Sequence, residues 1–169
     1  VRGGGIFSTH TSFPGYVYYT IANSVFEGSL SGSGMSFTFT TSSAKPSFDI
    51  QNVSSRFNGP VSGAGAFHGL NIVASGSASM EGNIVLANNV FSNNAGAGWF
   101  WNVQGPSIQG LRWASNVTIV NTQFNSNRQY GIYFQQYYTR DSPVTFSMTD
   151  SQVNLNPTGI YQYNYYQWT

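Results

Sequence analysis

The 169-residue sequence predicts an all-β fold, a single-stranded right-handed parallel β-helix (a solenoid) of about five coils with a period of about 28–34 residues. Three observations predict it: a phrase that recurs at that period, apolar residues that alternate with a period of two, and the lack of any helix-forming stretch. The phrase opens on an Asn-like residue, with an aromatic or β-branched residue three positions later and then a glycine followed by an apolar residue. Its copies start at Asn23, Ser54, Asn88, Asn121 and Asp150, which stand 31, 34, 33 and 29 residues apart. Gly34, Gly65, Gly98, Gly131 and Gly159 follow at matching intervals, and Gly5 opens a partial sixth copy. A repeat of this size cannot bury its apolar face alone, so successive copies must stack.

The chain reads as one domain, 1–169, with a partial coil at 1–16 and coils at approximately 17–45, 46–80, 81–114, 115–142 and 143–169. Each coil opens on a strand, because Tyr19 and Ile21, Ile84 and Leu86, Val117 and Ile119, and Phe146 and Met148 are each separated by one mostly small or polar residue. A second extended run follows each glycine: Met35 to Phe39, Ala66 to Ile72, Trp99 to Val103, Ile132 to Gln135, and Ile160 to Tyr165. Turn-forming clusters such as Asn93-Asn94-Ala95-Gly96 and Asn156-Pro157-Thr158-Gly159 separate them. Stacked at about 4.8 Å per coil, five coils stand about 25 Å tall. The right-handed sense is the expectation for parallel crossovers.

Stacking turns equivalent residues into columns. Ile6, Met35, Ala66, Trp99, Ile132 and Ile160 follow the repeat glycines and are expected to point inward. The next residues, Phe7, Ser36, Phe67, Phe100, Tyr133 and Tyr161, are expected to point outward as an aromatic column. The column Asn23, Ser54, Asn88, Asn121 and Asp150 has the parity of the inward positions, so it is expected to turn in at a corner and bond its copies above and below. The second copy breaks the pattern, since Asn52 falls where its siblings carry Ile21, Leu86, Ile119 and Met148. A bulge that turns Val53 inward is preferred there over a register slip of one residue.

The phrases Gly3-Gly4-Gly5-Ile6-Phe7, Asn23-Ser24-Val25-Phe26, Phe91-Ser92-Asn93-Asn94 and Phe124-Asn125-Ser126-Asn127 resemble the repeats of the polymorphic outer-membrane protein family. That family alternates a Gly-Gly-apolar-apolar phrase with a Phe-x-x-Asn phrase. Phe57-Asn58-Gly59-Pro60 and Val153-Asn154-Leu155-Asn156 depart from it. The resemblance implies a right-handed β-helix of a surface-displayed adhesin or structural protein. Similar coils also carry lyases, hydrolases and phage tailspikes, so fold alone does not assign function.

Composition limits the partners. Only 7% of residues are charged and the formal net charge is +1, so there is no basic stripe for nucleic acid. No apolar run approaches a membrane span, and nothing resembles a signal peptide, as expected of a mature or excised piece. There is no cysteine. A surface rich in Ser, Thr and Asn fits an extracellular or cell-surface setting, with Asn52 and Asn116 in N-glycosylation triplets.

An enzyme on this scaffold needs clustered carboxylates. The five acids, Glu27, Asp49, Glu81, Asp141 and Asp150, do not fall in matching columns of adjacent coils, and His10 and His68 lie far apart in coil position. No catalytic residue, metal ligand or cofactor is therefore expected. The outward column Phe67, Phe100, Tyr133 and Tyr161 is the candidate ligand-binding feature, with ladder packing, protein contact and glycan stacking as its possible uses. Neither end carries a capping segment, which favours end-to-end self-association or a longer parent chain. The expected function is a non-catalytic extracellular or cell-surface protein, either adhesive or a structural fibre of copies stacked end to end. The alternative is a polysaccharide-binding or polysaccharide-degrading β-helix.

Overall fold

The computed structural model describes residues 5–11, 15–30, 32–40, 44–60, 67–75, 81–104, 114–137 and 144–165. The expected parallel β-solenoid is what they form. In chain order the strands are β1 (Ile6–Thr11), β2 (Gly15–Ala22), β3 (Val25–Glu27), β4 (Met35–Thr40), β5 (Ala44–Gln51) and β6 (Ser54–Arg56). Next come β7 (Leu70–Ser75), β8 (Glu81–Ala87), β9 (Val90–Ser92), β10 (Trp99–Gln104) and β11 (Ala114–Val120). The last are β12 (Gln123–Asn125), β13 (Tyr130–Tyr137), β14 (Val144–Thr149), β15 (Gln152–Asn154) and β16 (Thr158–Tyr165). Every third strand stacks on the last of its kind, giving three all-parallel sheets: A, in the order β1-β4-β7-β10-β13-β16; B, β14-β11-β8-β5-β2; and C, β15-β12-β9-β6-β3.

Because side chains alternate along each strand, every coil sends alternate residues to one shared axis. That axis is lined by Met35, Phe37 and Phe39 from β4, Leu70 and Ile72 from β7, and Trp99, Trp101 and Val103 from β10. Phe48, Ile50, Ile84, Leu86, Val117 and Ile119 face them from sheet B, with Phe91 and Phe124 from sheet C.

Two corners hold the coils in register. Between sheets B and C one residue always adopts a left-handed backbone: Asn23 (φ 52°), Asn52 (53°), Asn88 (57°), Asn121 (45°) and Asp150 (50°). Asn and Asp tolerate this region best among side-chain-bearing residues, because the short polar side chain bonds locally. The second corner repeats the device at Gly28 (φ 71°), Phe57 (55°), Asn93 (57°), Ser126 (55°) and Leu155 (55°). The residue after it turns inward, and Asn58, Asn94, Asn127 and Asn156 form a ladder there. Asn58 Nδ2 donates to Asn94 Oδ1 at 2.9 Å, Asn94 to Asn127 at 2.9 Å, and Asn127 to Asn156 at 3.1 Å. Backbone N–H groups of the preceding coils donate to the same oxygens, and Asn127 Nδ2 also reaches the Phe91 carbonyl at 3.0 Å. Each buried amide thus has partners on both sides, which burial requires.

Three expectations need correction. First, the corner column runs through Asn52, not Ser54, and its side chains are exposed rather than turned in. The outward amides bond one another, Asn52 Nδ2 to Asn23 Oδ1 at 3.1 Å and Asn121 Nδ2 to Asn88 Oδ1 at 2.8 Å. Second, the second coil carries no bulge: Ile50 pairs with Ile21 and Leu86 in unbroken register, and the expected phrase stands two residues late, its Ser54 for the corner Asn52 and its Phe57 at the second corner. Ser55 fills the inward site that Phe26, Phe91 and Phe124 hold elsewhere, donating to the Gly69 carbonyl at 2.9 Å. Val53 is buried as the residue after the corner, where its siblings are Ser24, Asn89, Thr122 and Ser151. Third, Gly65 and Ala66 lie outside the described residues, and Gly69-Leu70 takes their place, with Leu70 paired to Met35 and Trp99.

The glycine column exists because coils meet there without room for a side chain. A Cβ on Gly69 would lie 2.7 Å from the Gly98 carbonyl oxygen, and one on Gly98 would lie 2.8 Å from that of Gly131.

Candidate functional site

The outward column of sheet A is an aromatic pile with a changed membership. Phe100, Tyr133 and Tyr161 stack in register, with ring centroids 4.7 and 5.0 Å apart and planes within 10° and 14° of parallel. Phe67 does not join them. With the register set by Leu70, the strand position beside Phe100 is Asn71, and the His68 ring stacks on Phe100 at 4.3 Å and 11° instead. Phe67 lies one residue further back, where its carbonyl accepts the Gly96 N–H at 2.7 Å. Tyr130 closes the side of the pile, 4.9 Å from Tyr133 and 5.6 Å from Tyr161.

His68 is buried and anchors the pile to the backbone. Its Nδ1 accepts the Ala97 N–H at 2.9 Å, its own N–H donates to Ser33 Oγ at 2.9 Å, and its carbonyl accepts the Gly34 N–H. An acceptor at Nδ1 requires the neutral ring protonated at Nε2. Burial favours the same state, pulling the imidazole pKa down to about 3.

The pile's geometry limits what it can bind. Rings stacked face to face cover each other's faces, so Phe100 and Tyr133 present edges and, for Tyr133, a hydroxyl already donated to Gln135 Oε1 at 2.6 Å. Sugar rings stack on aromatic faces, and the inner faces of this column are occupied.

A polar cluster occupies inward positions of the first coil. Ser8 Oγ lies 2.9 Å from His10 Nε2 and 3.1 Å from the Tyr19 hydroxyl, and Tyr19 also contacts His10 Nε2. His10 stacks on Phe39 at 5.3 Å and Tyr19 on Phe48 at 5.0 Å, so the cluster rests on the apolar core as a hydrogen-bonded layer. Burial raises the Tyr19 pKa, opposed by the bond to Ser8. Sequence reading missed this layer because its members sit in separate strands, β1 and β2.

The described carboxylates are separated. Glu27 pairs with Arg56 at 3.4 Å on the outside of sheet C, Asp49 accepts from Gln51 Nε2 at 2.7 Å on sheet B, and Asp150 stands at a corner. Glu81 opens β8, and Asp141 lies outside the described residues. Among the described residues no three His, Cys, Asp or Glu side chains gather to hold a metal ion. Both glycosylation candidates are exposed, Asn52 at its corner and Asn116 on β11, where Asn116 Nδ2 donates to Asn83 Oδ1 at 3.3 Å. No described helix is long and apolar enough to cross a membrane.

Comparison with family models, curated proteins and solved structures finds no match. The likeness to polymorphic outer-membrane repeats therefore rests on the quoted phrases alone.

Proposed function

We propose that this chain is a non-catalytic extracellular or cell-surface protein with a structural or adhesive role, and that copies of it stack end to end. The observation that carries the reading is the complementarity of its two end coils. In the last coil the axial side chains Phe146 and Ile160 are 41% and 51% exposed, while their column neighbours Val117 and Ile132 are buried. A copy added head to tail would set Ile160 on Ile6, Met148 on Ile21, Val153 on Phe26, Phe146 on Tyr19 and Tyr161 on Phe7. Every one of these pairs is apolar or aromatic on both sides. The corner ladder agrees in direction, because later coils donate to earlier ones and Asp150, which only accepts when ionised, would face the Asn23 amide. Such a contact between unlike surfaces does not close on itself and grows as a filament.

Sedimentation velocity over a concentration series, with electron microscopy of the same samples, tests it. Large species and fibres are expected, and Ile160→Asp should abolish them without unfolding the chain, since the site is half-exposed. A monodisperse monomer at high concentration would refute the stacking and leave a further coil of a longer parent chain as the cover for these residues.

A further inference from the structure

We propose that the outer face of sheet B is a polysaccharide-binding surface centred on Tyr16 and Tyr18 of β2, the end strand of that sheet, a site distinct from the sheet A pile. These two rings are 66% and 73% exposed on β2, with planes within 13° of each other and centroids 6.4 Å apart. Unlike Phe100 and Tyr133 they are paired in the adjoining coil with residues that are not aromatic. Tyr16 pairs with Lys45, whose Nζ lies 5.4 Å from the ring centroid, and Tyr18 pairs with Ser47. No ring from the adjoining coil therefore stacks on Tyr18, while Lys45 Nζ lies over one side of Tyr16.

The surroundings favour hydroxyl-rich ligands over apolar ones. From Tyr18 the outward row runs through Ser47, Asn83 and Asn116, and the next row holds Thr20 and Asp49. These groups supply hydrogen-bond donors and acceptors in pairs already held in place, Asn116 Nδ2 on Asn83 Oδ1 and Gln51 Nε2 on Asp49 Oδ1. A protein or lipid partner would want a continuous apolar patch, and here polar side chains interrupt it after two rings. A pyranose chain has the matching chemistry, with C–H faces for the rings and equatorial hydroxyls for the amides and carboxylate.

Affinity electrophoresis at concentrations below any self-association tests the site. The wild-type chain is run through native gels containing a neutral β-glucan, a galactomannan or polygalacturonate. Retardation is expected in at least one gel, weakened tenfold or more in Tyr18→Ala and in the Tyr16→Ala/Tyr18→Ala double variant, and retained in Tyr133→Ala. Preferential retardation by polygalacturonate would identify a uronate ligand, and equal retardation by neutral gels a neutral one. No retardation in any gel, or retardation unchanged in the double variant, would overturn the proposal. Because β2 is also the strand that a stacked copy would meet, sedimentation of the same samples reads end-to-end stacking separately from retardation.

Discussion

The smallest unit that matters is a side chain whose burial leaves it no room to change state. His68 accepts a backbone N–H while stacked under Phe100, and protonation would put a charge in that site and remove the acceptor. The unfolded chain takes up this proton below pH about 6.5, while the folded chain resists it down to about 3. In between, the unfolded state binds more protons, so stability is full above that range and falls as pH drops through it. Denaturant titrations from pH 7 to 4 should show a loss of up to about 1.4 kcal/mol per pH unit from this residue, with a flatter profile in His68→Gln. The axial glycines are equally constrained. Gly98→Ala places a methyl 2.8 Å from the Gly131 oxygen and 2.9 Å from Asn127 Nδ2, and should cost roughly 1–3 kcal/mol by equilibrium unfolding. At Leu155 the sign reverses. A bulky residue held at φ 55° is strained, so Leu155→Asn or Leu155→Gly should gain of the order of 1 kcal/mol in the same assay.

At the scale of strands and corners, the aromatic pile is a stabilising ladder as well as a surface feature. A double-mutant cycle on Phe100 and Tyr133, read from unfolding free energies, should return a coupling of about 0.5–1.5 kcal/mol. Additive effects would mean that the two rings only share a neighbourhood. This is also the scale at which sequence reading succeeded and failed. The period, the strands and the axial apolar positions were legible because hydrophobic alternation repeats in every coil, as Trp99, Ile132 and Ile160 illustrate. The phase of the second coil was not. Ser55 occupies a site that is aromatic in three other coils, and Phe57 offers a false match two residues later at a left-handed corner. A second misalignment, of four residues in the other direction, took Gly65-Ala66 for Gly69-Leu70, put Phe67 in the pile and hid His68. The role of the corner Asn column was misjudged for another reason. Alternation assigns parity only while the backbone stays extended, and a left-handed residue resets it, sending Asn23 and its siblings outward and the next residue inward. Tyr16 and Tyr18 were visible as residues, yet nothing in the sequence showed that their column partners would be Lys45 and Ser47.

For the whole molecule, each coil packs on the coils beside it, Arg128 Nη1 alone among the described contacts reaching past one coil to the Pro60 carbonyl at 3.2 Å, so stability is close to a sum of coil and interface contributions rather than of one central core. The last coil has a neighbour on one side, and Met148, Val153 and Ile160 stay partly or largely exposed where the coils before it bury their equivalents. Hydrogen exchange should accordingly be slowest in β8 and β10 and faster in β14 and β16, with the difference shrinking at concentrations where copies stack. Equal protection of β16 and β10 in dilute solution would contradict this picture.

The corner between sheets B and C takes two residues in every coil, Asn23-Ser24 through Asp150-Ser151, while the connections from sheet A to sheet B vary from three residues after β1 to nine after β10. All three sheets keep their register across that variation. One edge of the solenoid thus keeps its register at several connection lengths, while the corner between sheets B and C holds two residues in every coil. A foreign peptide spliced between β10 and β11 should be displayed on a fold that does not notice it, and repeated grafts along that edge would lie in a row set by the coil spacing.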